Sequence, residues 1–220
     1  MYPNKKHLLR SKKANKLIIW VLLIITSFTL IMIIWPHVYH TLHTYDIQAL
    51  KAINSNRIRT LDPIFLFITN TSSLVCITIV ISTLLAGWVK RAKKRILKGS
   101  QLLVTFLTSF IIIKALKYLI GRNRPYITYN FLDKLAQAES LSFPSGHTFE
   151  AFAFSTAVAL LFKNPWLRIF IFTWAVLVGI SRMILGMHYI SDVIGGVILG
   201  VLTGYFVHVL YRKNTMPIDH

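Results

Sequence analysis

The chain has 220 residues, 55% of them hydrophobic, and a formal net charge of +18 from 25 Lys and Arg against 7 Asp and Glu. The apolar residues come in long runs with the charges between them, a distribution that excludes an ordinary soluble domain, and mean hydropathy is +0.58. Because the basic residues flank the apolar runs, anionic lipid headgroups and the positive-inside bias account for them better than nucleic acid does. The single cysteine, Cys76, excludes an intrachain disulfide.

A bilayer core about 30 Å thick needs roughly 20 apolar residues per spanning helix. Lys5 to Lys16 are basic and Leu17 to Trp35 apolar. That run is longer than a signal core and ends at Trp35-Pro36 without a small-residue cleavage site, so it is predicted to be a retained first span. In the connection 36–62, Ile47, Leu50 and Ile53 recur at helical spacing and predict a short helix on the membrane surface. The second span, 63–88, starts cleanly, with Asp62 as N-cap and Pro63 at the first helical position. Its polar interruption, Asn70, Thr71, Ser72 and Ser73, is read as bonding between helices.

Spans follow at 101–120, 146–162, 167–186 and 191–211, and the connection 121–145 is expected to be mostly irregular. Gly196, Gly200 and Gly204 form a stripe of small residues that lets another helix approach the last span closely. The expected fold is therefore all-α, a polytopic bundle of six transmembrane helices. One membrane domain occupies 17–211, between a basic N-terminus, 1–16, and a tail, 212–220.

Six spans put both termini on one side. That side collects 16 basic residues in the segments 5–16, 90–98, 163–168 and 212–213. The opposite side holds 6, and Lys114, Lys117 and Arg182 lie within spans. The bias places the termini in the cytoplasm and the connections 36–62, 121–145 and 187–190 outside a cytoplasmic membrane.

Ionisable groups inside spans are costly and call for an explanation. Lys117 ends the third span, and Arg124-Pro125 follows it. Ser142-Phe143-Pro144-Ser145-Gly146-His147 opens the fourth. Ser181-Arg182 closes the fifth, with His188 and Asp192 at the turn into the sixth. The topology brings all four stretches to one face at one depth. Lys117, Arg124 and Arg182 offer positive charge and directed donors suited to phosphoryl oxygens. Ser145 and the Gly146 backbone, at a helix N-terminus, add donors where anions bind well, and Gly146 leaves room for close approach. One imidazole can attack phosphorus and the other can protonate the leaving oxygen. Asp192, four residues after His188, is placed one helical turn away to orient that ring.

Other polar groups read more blandly. Lys114 and Arg122 fit snorkelling or a helix-terminal charge effect, with an electrostatic contribution to the phosphate pocket as the alternative. Glu150 can either tune His147 or make a structural hydrogen bond. His37, His40, His43 and His208 lie off the constellation, and no carboxylate or thiol completes a metal site from the first three. Only Asp192 among the carboxylates belongs to the tight group, and Lys and Arg supply the positive charge that a metal would otherwise bring. No cofactor is expected.

The pattern resembles the type-2 phosphatidic acid phosphatase superfamily, whose relatives include vanadium haloperoxidases and glucose-6-phosphatases. Lys117, six residues, then Arg124-Pro125 matches its first motif. Pro144-Ser145-Gly146-His147 matches the second. Ser181-Arg182, five residues, His188, three residues and Asp192 matches the third, with no departure at a defining position. The resemblance implies metal-independent, two-step phosphoryl transfer. His188 would be the nucleophile, forming a phosphohistidine, and His147 the proton donor. Lys117, Arg124, Ser145, Gly146 and Arg182 would hold the phosphoryl oxygens. The implied substrate is a lipid phosphate: undecaprenyl pyrophosphate first, then phosphatidylglycerophosphate, then the phosphate of lipid A. A rival from another class is a non-catalytic lipid-binding or transport protein on the same fold. No protein partner can be inferred.

Overall fold

The computed structural model describes residues 41–133, 135 and 141–215. The predicted first span and its basic leader lie outside the described residues, as do His37, His40 and the end of the tail. Contacts divide the chain into two compact units, Met1–Tyr45 and Asp46–His220, and the side-chain contacts described below all lie within the second.

Residues 41–55 are helical (α1). A 3₁₀ turn, Arg59–Leu61, leads into α2 (Asp62–Val89), and then come α3 (Lys93–Ile120), a single turn α4 (Pro125–Thr128), α5 (Gly146–Leu161), α6 (Pro165–Ile184) and α7 (Ile190–Thr215). No strand occurs among the described residues. The fold is an all-α, polytopic membrane bundle. Five of the expected spans are present as α2, α3, α5, α6 and α7. Four of these, α2, α3, α6 and α7, are long and apolar enough to cross a bilayer.

The fifth, α5, has 16 residues, which makes it about 24 Å long, short of a hydrocarbon core. It is the centre of the bundle and touches α2, α3, α6 and α7. Phe149, Ala151, Ala153, Phe154, Ala157 and Val158 on it are buried. The outer faces are apolar too: Phe67 and Leu74 on α2, Phe110 and Ile111 on α3, and Phe170 on α6 are exposed, as helices facing lipid require.

The glycine stripe of α7 does what its spacing predicts. A Cβ at Gly196, Gly200 or Gly204 would lie 2.9, 2.5 or 2.3 Å from the carbonyl oxygens of Ser145, Phe149 and Ala153. α7 therefore rests on the backbone of α5, and only glycine fits along the seam. The polar interruption in α2 bonds between helices as expected: the Trp174 indole donates to Thr71 Oγ1 at 3.0 Å, and Ser73 Oγ donates to Glu150 at 3.2 Å.

Three expectations need correction. Asp62 is not the N-cap of α2. The 3₁₀ turn runs straight into the helix, Leu61 precedes it without a side-chain cap, and Asp62 is itself helical. Its carboxylate instead lies 3.3 Å from Arg57 Nε. The third span is longer than its apolar run. Lys93 to Ser100 are helical as well, because Lys, Arg and Leu are good helix formers wherever the chain leaves the hydrocarbon. Finally, α1 turns its apolar face to protein. Leu50 is buried with Leu132 and Tyr189, and Tyr126 and Tyr129 pack around them.

Candidate active site

α3 ends because Gly121 adopts φ +66° and its N–H bonds to the Lys117 carbonyl at 3.0 Å. This left-handed cap turns the chain sharply, so that Arg122 and Arg124 fold back against the bundle. Lys117, in the last turn of α3, donates to the Leu141 carbonyl. Arg124 is 4% exposed. One of its terminal nitrogens donates to the Met187 carbonyl at 3.1 Å and lies 3.2 Å from His188 Nε2.

Arg182 closes α6 and is 3% exposed. Nη1 donates to Thr69 Oγ1 on α2 at 2.7 Å. Its Nε is buried without a hydrogen-bond partner among the described residues, so a donor remains free for an anion. After α6 the chain makes a tight turn. Met187 and His188 donate their N–H groups to the Arg182 carbonyl at 3.1 and 3.3 Å, and Gly186 supplies the positive φ that the turn requires, at +64°. The turn delivers His188 inward, 1% exposed.

His188 and Asp192 do not share a helix, contrary to the sequence reading. α7 starts at Ile190. The Asp192 carboxylate reaches back over the helix start and accepts the Tyr189 N–H at 3.0 Å, which is half of a capping box. That brings Oδ2 to 3.4 Å from His188 Nδ1. Ser142 Oγ donates to the same Oδ2 and lies 3.4 Å from Nδ1. A guanidinium can only donate, so the contact with Arg124 makes Nε2 an acceptor and leaves the ring proton on Nδ1, facing Asp192. His188 thus presents a bare Nε2 to the basic groups.

α5 meets the site at its N-terminus. Ser145 is buried, and its N–H bonds to the Asp192 carbonyl at 3.1 Å. Its hydroxyl pairs with Thr148 Oγ1 at 2.8 Å rather than with a backbone N–H. Gly146 and His147 form the first turn, both half-buried. Among the described residues, a Cβ at Gly146 would meet Ile113 of a neighbouring helix, at 3.4 Å, so packing among them does not demand glycine there.

Electrostatics ties the groups together. Burial pushes the His188 pKa well below its ordinary value, and the charges of Arg182, Arg124, Lys117 and His147 push it the same way. The ring is neutral at pH 7. The structure therefore gathers Lys117, Arg124, Arg182, His147, His188 and Asp192 around one point, with Ser145 and Gly146 at its edge. Lys114 stays outside: it is exposed and stacks over the Phe110 ring at 4.6 Å. Glu150 bonds to Ser73 on α2. His208 pairs with Gln101 at 3.1 Å, far along α7.

Sequence reasoning missed Asp46 and left the role of Arg122 open. Arg122 Nη1 donates to Asp192 Oδ1 and to Ser191 Oγ, and Nη2 donates to Asp46 Oδ2, all at 2.7 Å. Burial opposes the Arg122 charge, but Asp192 and Asp46 outweigh it and hold its pKa above the ordinary value. A signal for Asp46 existed. It sits four residues before Leu50, on the apolar face of α1, where an unpaired carboxylate would be costly.

Comparison with known proteins follows the same lines. The PAP2 superfamily family model matches residues 98–216. A lipid A 1-phosphatase of Rhizobium etli is 35% identical over 120 residues, 52% of this chain and 51% of that protein; the chain thus spans about half the length of this relative. An undecaprenyl-diphosphatase of Sulfolobus acidocaldarius is 33% identical over 162 residues, 71% of this chain and 73% of that protein. Among solved structures, a transmembrane PAP2-type phosphatidylglycerolphosphate phosphatase from Bacillus subtilis superposes with a TM-score of 0.70 at 27% identity, covering 88% of this chain and 96% of that one. A model match over more than half the chain, and a relative aligned over most of both sequences, place this chain in the PAP2 superfamily, to which it belongs.

Proposed function

We propose that the chain is a membrane lipid phosphatase that hydrolyses the terminal phosphate of a lipid phosphate or pyrophosphate through a phosphohistidine at His188. The observation that carries this reading is the buried, neutral His188. Its Nδ1 is turned to Asp192 and its Nε2 lies 3.2 Å from Arg124, amid the charge of Lys117 and Arg182.

The geometry supports a sequence of steps. The phosphoryl oxygens take the donors of Lys117, Arg124 and Arg182 and the N-terminal backbone of α5, which releases Nε2 from its contact with Arg124. Nε2 attacks phosphorus as the bond to the leaving oxygen breaks, and His147 gives that oxygen its proton. Asp192 stabilises the positive ring that forms. Water then attacks phosphorus with His147 as base, the P–N bond breaks, and phosphate leaves. Charge developing on the phosphoryl group is met by fixed cationic side chains in a buried site, where they act strongly. The reading requires no metal: EDTA should leave activity largely intact.

For the substrate, undecaprenyl pyrophosphate is proposed first, because the undecaprenyl-diphosphatase of Sulfolobus acidocaldarius aligns over 73% of its own length. Phosphatidylglycerophosphate is second, from the 96% coverage of the Bacillus subtilis structure. Lipid A is third. The site end is proposed to face outward from a cytoplasmic membrane, because the opposite end carries the larger share of basic residues; terminal tags should then resist external protease in intact cells. The test of function is phosphate release from a panel of detergent-solubilised lipid phosphates by wild type and His188→Ala. Release confined to the wild type is expected, and equal release by both overturns the assignment.

A further inference from the structure

Arg122 and Asp46 form a charged bridge behind the nucleophile. Asp46 is 3% exposed, and both its oxygens are used. Oδ1 accepts the Ser191 N–H at 2.9 Å, and Oδ2 accepts from Arg122 at 2.7 Å and from Ser191 Oγ at 2.5 Å. Tyr189, just before α7, has no short polar side chain to cap the helix, so a carboxylate from α1 satisfies an orphan N–H of its first turn. The Arg122 guanidinium also lies over the Tyr189 ring, 3.8 Å from its centre. This planar cation is therefore fixed on three sides, by Asp46, by Ser191 and Asp192, and by an aromatic face.

The consequence falls on Asp192. Its Oδ1 is held by Arg122, while Oδ2 receives the Tyr189 N–H and Ser142 Oγ and faces His188. Without Arg122, Oδ1 would be a buried carboxylate oxygen with no partner, and the group would be free to rotate. We propose that Asp46 and Arg122 are positioning residues that fix the Asp192 carboxylate, and through it the Nδ1–H tautomer and the aim of His188. This rests on the phosphatase reading above and deepens it. Asp46 is an anion, and Arg122 spends both terminal nitrogens on Asp46, Ser191 and Asp192, which leaves its buried Nε as the one guanidinium nitrogen without a partner among the described residues.

The titratable and charged groups that face His188 are Lys117 on α3, Arg124 on the following loop, His147 on α5, Arg182 on α6 and Asp192 on α7. Arg122 and Asp46 stand behind Asp192 and act on the ring with opposite signs. The test measures kcat, KM and the pH dependence of kcat/KM for Arg122→Ala, Arg122→Lys, Asp46→Asn and the Asp46→Asn/Arg122→Ala pair, on one lipid phosphate. Inhibition by orthovanadate, a phosphate mimic, is measured alongside.

Arg122→Ala should lower kcat by about 10- to 100-fold, as loss of an orienting partner does at buried sites, with KM and vanadate inhibition within about threefold of wild type. Losing the cation favours protonated His188, so the acid limb should move up by about 1 pH unit. Asp46→Asn removes an anion, so its acid limb should move down. Arg122→Lys should restore the position of the limb but only part of kcat, since a point charge cannot bridge two carboxylates. The pair should lose little more than Arg122→Ala alone.

Acid limbs that stay at the wild-type position in both single variants overturn the proposal, as do vanadate inhibition weakened in parallel with kcat or additive losses in the pair. In each of those cases, inactivity of His188→Ala beside an active wild type leaves the phosphatase reading standing. If Arg122→Ala does not survive extraction, the downward shift of the acid limb in Asp46→Asn, which keeps size and shape, against an unshifted limb in Arg122→Lys carries the pH comparison.

Discussion

Both ends of the bundle are basic, yet they use their charges in opposite ways. At the turn between α2 and α3, Lys90, Arg91, Lys93, Lys94 and Arg95 are all exposed. At the other end Arg124, Arg182 and His188 are almost fully buried, and the hydrogen bonds of Arg182 and Arg122 reach α2, α1 and α7. A solvated lysine cluster next to a membrane costs little and attracts anionic lipid. A buried cation costs several kcal/mol unless paired, so the sequence keeps it only where a partner or a substrate repays that cost. Burial, rather than the number of charges, therefore separates a site from a topology signal.

The largest expected contrast is at the nucleophile. His188→Ala should cut phosphate release by on the order of 10³-fold or more, whereas replacing Lys93, Lys94 and Arg95 together by Ala should leave kcat within about twofold; a steady-state assay on the two proteins decides. Next comes Arg182. Its alanine variant should lose about 10²-fold in kcat, and Arg182→Lys should recover only part of that, because a lysine cannot hold Thr69 and a phosphoryl oxygen in one plane.

Gly146→Ala separates packing from chemistry. Among the described residues the new methyl would meet Ile113 at 3.4 Å, an ordinary contact, so the melting temperature should change little while kcat/KM falls by about tenfold, the methyl taking space needed by phosphate. Gly200→Ala should do the reverse. Its Cβ would press on the Phe149 carbonyl at 2.5 Å and cost about 1–3 kcal/mol of stability, read by thermal denaturation in detergent.

The smallest effect concerns pH. The folded His188 refuses a proton that the unfolded chain takes up below about pH 6.5. Stability should therefore fall as pH drops through that value and keep falling toward the depressed native pKa. The slope should flatten in His188→Ala, and a series of melting curves between pH 5 and 8 checks it.

Much of this was legible before the structure. The apolar runs marked α2, α3, α5, α6 and α7, and the stretches ending in Lys117, Arg124, His147, Arg182 and Asp192 marked the groups that the structure gathers into the candidate site, because costly groups inside spans call for an explanation. The glycine stripe predicted a close helix approach to α7, and the structure identifies α5 as the partner. The Asp46–Arg122 bridge was not legible, since it joins residues 76 apart, and no local spacing reports a long-range ion pair. The His188–Asp192 geometry was misread for a related reason. Spacing of four implies a helical turn, but the helix begins at Ile190, and a side chain folding back over a helix start leaves the same spacing. The long N-terminal part of α3 was hidden because charge marks the membrane boundary and not the end of a helix.

The central claim is that His188 carries the phosphoryl group. Incubating the protein briefly with a lipid phosphate labelled with ³²P in its terminal phosphate, quenching in alkali and mapping the labelled peptide tests it directly. The account predicts acid-labile, alkali-stable label on the peptide containing His188 in wild type, and none in His188→Ala. Label on any other residue, or phosphate release by His188→Ala at the wild-type rate, would contradict it.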